Sequence, residues 1–70
     1  MNTRITLDKL DDKYKVFLEN RKEVLNRTNK PDDVKGEIRG YLKGLEVADI
    51  ISQSDFRILL TYYTLKNPTT

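Results

Sequence analysis

Apolar residues return every three or four positions in three separate stretches of the chain. The first series is Leu7, Leu10, Tyr14 and Phe17, resumed at Val24 with Arg21 in the skipped position. Leu18 and Leu25 widen it into a seam of the a/d kind. The spacing predicts one helix that begins after Thr6 and fades around Asn26 to Thr28. Thr6 is placed to cap it, Asp8 to meet the positive end of its dipole, and Ile5 to staple onto Leu10. Asp11 with Lys15, and Glu23 with Arg27, are acid-before-base pairs one turn apart that support a helix here. Arg21 is expected to run its stem along the seam and put its charge in water, or else to set the register of a polar contact in an oligomer.

The second series is Val34, Ile38, Tyr41, Leu42 and Leu45, with Ala48 at its edge. Thr28 to Asp32 is the break before it. Pro31 suits the first turn of a helix, and Asp32 and Asp33 suit its positive end. The pattern predicts an amphipathic helix of roughly 17 residues. After Asp49-Ile50-Ile51, Ser52 and Asp55 form a box-like cap, with Ile51 and Phe56 placed as a hydrophobic staple. The third helix should run to about Leu65 and stop before Asn67-Pro68. Phe56, Leu59, Leu60 and Tyr63 form one apolar face, and Ile58, Tyr62 and Leu65 a second. A helix apolar on most of its circumference is central or lies at an interface.

These elements predict an all-α fold: a small three-helix bundle with short loops, one domain over residues 1–70, frayed at about 1–5 and 67–70. A core of this size contributes roughly 3–5 kcal/mol. Self-association through the second face of the third helix is therefore suspected.

Composition narrows the chemistry. The chain has no cysteine and no histidine, which removes disulfides, thiol nucleophiles, the usual zinc sites and the commonest general base. The carboxylate pairs Asp8/Asp12 and Glu19/Glu23 have nothing to complete a metal or acid–base constellation and read as solvated faces. No catalytic residue, cofactor or metal is expected. The longest apolar runs are three residues, and no apolar stretch follows Met1, so a soluble, cytoplasmic protein with no membrane partner is expected. The net charge is +2, with residues 1–30 at +3, 31–51 at −2 and 52–70 at +1. No segment carries the dense basic field of a general nucleic-acid binder.

One feature stands out against this background. All three glycines lie in the second helix, at Gly36, Gly40 and Gly44. Each costs about 1 kcal/mol against alanine in a helix interior. On a helical wheel they centre about 140° from the apolar face. Lys35, Arg39 and Lys43 form a basic ridge beside them. Either a neighbouring helix packs on the glycines, or they leave a flat groove where a partner's backbone approaches, with cations alongside. The candidate partner-binding residues are Lys35, Gly36, Arg39, Gly40, Lys43 and Gly44, together with Tyr62 as an exposed aromatic anchor. A helix-turn-helix reading of the last two helices is disfavoured, because the third helix is too apolar for a major groove.

The stretch from Gly40 to Leu65, GYLKGLEVADIISQSDFRILLTYYTL, joins a helix, an Ile-Ile-Ser turn with an acid-Phe pair, and a second helix. It resembles short paired-helix C-terminal modules of the form GIIT-x-x-EF, with Asp49 standing where those modules carry glycine. It is also similar to small helical accessory proteins of phages and integrative elements of Gram-positive bacteria, which end in FR-x-L-x-x-YY. The resemblance implies a non-enzymatic interaction role, such as a mobile-element inhibitor or regulator of the anti-CRISPR-like, host-defence-inhibiting kind. The expected partner is another protein. A nucleic-acid-binding regulator using the basic ridge is the alternative.

Overall fold

Asp11 divides the first predicted helix in two. The computed structural model describes residues 3–65 and forms four helices: α1 (Thr3–Lys9), α2 (Asp12–Arg27), α3 (Pro31–Val47) and α4 (Gln53–Thr64). The Leu10 N–H closes α1 by donating to the Leu7 carbonyl at 3.1 Å. Asp11 is then extended, and its carboxylate caps α2 by accepting from the Lys13 N–H at 3.1 Å. A seam that looks continuous in one dimension is broken because an aspartate before a helical run offers the backbone a better start than continuation. The break lets α1 turn onto α4.

Three sequence expectations change with it. Thr6, expected as a cap, lies inside α1 and is buried. Residues 3–5, expected to be frayed, are helical, and Ile5 is exposed rather than stapled to Leu10. Lys15 pairs with Asp12 at 3.4 Å instead of Asp11, whose carboxylate is occupied as the cap. Glu23–Arg27 forms as expected, at 3.5 Å.

The buried row of α2 is Leu18 and Leu25, one residue later than the Phe17 and Val24 of the predicted seam. Phe17 stands at the edge of the α2–α3 contact, its ring stacked on Tyr41 with centroids 4.2 Å apart. Arg21 lies in that same edge row and reaches across to Glu37 at 3.2 Å.

Helix α3 matches its pattern. Its 17 residues start at Pro31, and Val34, Ile38, Leu42 and Leu45 are buried. Asp49 ends it at φ 62°. The Ile50 N–H donates to the Leu45 carbonyl at 2.9 Å, and the Asp49 N–H to the Glu46 carbonyl at 3.0 Å. This is the Schellman closure, whose left-handed position normally holds glycine.

The capping box of α4 is complete. The Asp55 N–H donates to the Ser52 hydroxyl at 3.0 Å, and the Ser52 N–H to the Asp55 carboxylate at 3.3 Å. Ile51 is buried, and Phe56 packs partly buried against the same core. Leu59 and Tyr63 are fully buried, whereas on the second face Ile58 is half-buried and Tyr62 and Leu65 are exposed. The far end of α4 is held from α2. The Lys22 ammonium donates to the carbonyls of Tyr62 at 2.9 Å and Leu65 at 3.0 Å, acceptors that the helix leaves unpaired. Burial lowers the pKa of Lys22 below the ordinary lysine value, so this clamp carries a desolvation cost. The expected fraying at 67–70 lies outside the described residues.

A candidate protein-interaction face on α3

A glycine inside a helix usually answers to a close neighbour or to a backbone angle that other residues resist. Neither holds in α3. A β-carbon at Gly36, Gly40 or Gly44 would meet nothing within 4 Å beyond the helix's own backbone, and no glycine has positive φ. Among the described residues no helix packs on the stripe. The face continues with Val47, three residues after Gly44 and 73% exposed. The result is a strip without side chains that ends in an exposed apolar residue.

The basic ridge is not uniform. Lys43 donates to Glu46 at 3.1 Å and lies over the Phe56 ring, 5.6 Å from its centroid. Lys35 and Arg39 are exposed and hold no ion pair or hydrogen bond among the described residues. They border an open groove of about 320 Å³ between α3 and α4, lined by Asp32, Lys35, Gly36, Arg39, Leu60 and Thr64. The Thr64 hydroxyl donates to the Leu60 carbonyl, which ties it to its own helix.

The structure thus brings together six of the seven candidate residues on α3. Tyr62 does not join them. Its ring is edge-on to Tyr63 with centroids 4.9 Å apart, and the Lys22 ammonium stands 4.9 Å from its centre. It belongs to the seam between α2 and α4. Sequence reasoning missed Val47, Leu60, Thr64 and Asp32. Val47 was readable as the next step of the glycine series. Leu60 and Thr64 required knowing how α3 and α4 pair.

That pairing is an antiparallel hairpin. Lys43 lies against Phe56 near the turn, and Lys35 and Arg39 lie alongside Leu60 and Thr64 at the far end. Among the described residues no group of three or more acidic side chains could hold a metal ion, and no helix is long and apolar enough to cross a membrane. No protein-family model, curated protein or solved structure matches this chain.

Proposed function

We propose that the chain is a non-enzymatic protein-interaction module that meets its partner through the solvent face of α3. The observation that carries this reading is the open glycine strip. Three interior glycines cost on the order of 3 kcal/mol against alanine, in a domain whose core contributes roughly 3–5 kcal/mol. Nothing among the described residues packs against them. A surface from which side chains are missing suits close approach by another backbone, and the exposed Val47 adds apolar area to it. Tyr62 stands apart from this face as a second candidate contact. The narrower form of the proposal, a mobile-element inhibitor or regulator, draws its support from the resemblance of residues 40–65 alone. Self-association is a separate proposal, through the second face of α4, where Tyr62 and Leu65 are exposed.

Nucleic acid is the weaker reading. Lys43 is neutralised by Glu46, and Asp32, Asp33 and Glu37 are interleaved with the remaining cations on α3. Lys35 and Arg39 are then the two cations left for a phosphate backbone on α3, fewer than the several phosphate contacts on which nucleic-acid affinity rests.

A tagged pull-down from a Gram-positive lysate, with and without nuclease, tests the proposal. A discrete protein retained after nuclease is expected. Combined Gly36→Ala, Gly40→Ala and Gly44→Ala should raise helicity and stability while abolishing capture. Unchanged capture by this better-folded variant would refute the α3 face, and loss of all captured material on nuclease treatment would refute a protein partner.

A further inference from the structure

The groove between α3 and α4 narrows the chemistry of the partner, on the premise that the interaction reading above holds. Its floor is Leu60 and the space that Gly36 leaves, and its α3 rim carries Lys35 and Arg39 one turn apart. Five other cations hold carboxylates of the same chain: Lys9, Lys15, Arg21, Arg27 and Lys43. Lys35 and Arg39 hold none among the described residues. A pair of unmatched cations beside an apolar floor is complementary to apolar side chains flanked by acids. We infer that the occupant is an acidic amphipathic helix of another protein. It sets an apolar side chain over Leu60 and Gly36 and two carboxylates, one turn apart, on Lys35 and Arg39.

Other occupants fit less well. A phosphate chain has no apolar side chain to set over Leu60 and runs its charge past Asp32, whereas a helix places its two acids on Lys35 and Arg39 alone. In a second copy Asp12, Glu23, Glu37, Glu46 and Asp55 are engaged by cations of their own chain and Asp11 caps α2, and among the acids that remain, Asp8, Glu19, Asp32, Asp33 and Asp49, no two lie three or four residues apart.

Panning a random peptide library, displayed on phage, against the full chain tests the inference. Recovered peptides should carry acidic pairs three or four residues apart around Leu, Ile or Phe. A synthetic peptide of recovered sequence should shift the amide resonances of Lys35, Gly36, Arg39, Leu60 and Thr64. K35E/R39E should weaken it by about tenfold or more. The same peptide with its acids changed to lysine should bind that variant, which also shows the variant to be folded. Gly36→Leu, which fills the groove and keeps both cations, should block binding as well. Peptides without acidic bias, full affinity for K35E/R39E, binding only of a single-stranded oligonucleotide, or a dimer that K35E/R39E dissociates would each overturn the inference. Peptides that shift Gly40, Gly44 and Val47 but leave the groove residues unmoved overturn it while sparing the proposed α3 face. Recovery of no peptide, together with nuclease-sensitive capture, removes both.

Discussion

The Tyr63 side chain is fully buried, and its hydroxyl has no hydrogen-bond partner among the described residues. Burial, with the charge of Glu19 and the neighbouring Tyr62 adding to it, holds the phenol far above its ordinary pKa, so it stays neutral. An unsatisfied buried hydroxyl costs about 1–3 kcal/mol. Tyr63→Phe keeps the ring and removes that cost. We expect it to stabilise the fold by about 1 kcal/mol, raising the melting temperature by about 4–8 °C; a lower melting temperature would show that the hydroxyl is bonded. Asp49 is the second residue at odds with its setting. A left-handed conformation costs a residue with a β-carbon roughly 1–2 kcal/mol, less for aspartate. Asp49→Gly should raise the urea midpoint, with a gain of about 0.5–1 kcal/mol. The strain was half legible in the sequence. The resemblance read from residues 40–65 alone puts Asp49 at a glycine position, but the Schellman closure that demands positive φ there appears only in the fold.

Among the elements, α3 and the start of α4 were readable because their boundary chemistry and their apolar period agree. Pro31 and the Asp32-Asp33 pair open α3 where its series begins, and the Ser52–Asp55 box opens α4 with Ile51 and Phe56 on either side. At the other end of the chain the two signals conflict. The period runs unbroken through Leu7, Leu10 and Tyr14, while Asp11 is chemically a helix start. Tertiary packing of α1 on α4 decides for the cap. The slip from Phe17 and Val24 to Leu18 and Leu25 follows, and Arg21 in the first row was the clue that this row is an edge. The Lys22 clamp could not be read at all, since it joins positions 22, 62 and 65 across two helices. Charge at a helix C-terminus and two charge-assisted bonds together contribute on the order of 1–2 kcal/mol. Lys22→Met should therefore accelerate hydrogen exchange in the last turn of α4 and leave the amides of Ile38 and Leu42 protected. Unaltered exchange at Thr64 and Leu65 would mean that the clamp contributes nothing.

For the whole molecule, Asp55 is where the bundle and its first helix are joined. The same carboxylate completes the α4 cap and meets Lys9 of α1 at 3.5 Å. Burial pushes its pKa up, but the hydrogen bonds from Ser52 and the charge of Lys9 outweigh burial, and it titrates below its ordinary value. Stability from a carboxylate lowered in this way is complete above its unfolded pKa of about 3.9, and it disappears as the pH falls through the folded value. Asp55→Asn should cost about 0.5–1 kcal/mol near neutral pH, and the difference from wild type should narrow below about pH 4. Urea midpoints at both acidities check this; a gap that persists in acid would assign the loss to something other than the charge.

The open glycines of α3 also bear on how the chain changes over generations. Alanine fits each position without a clash and makes a better helix, so replacement of any one glycine would stabilise the fold. On the proposed interaction reading, a contact outside the fold holds them in place. If the proposed face is the contact, the number of glycines retained at positions 36, 40 and 44 in a related sequence records whether that lineage still meets a partner, readable without any structure.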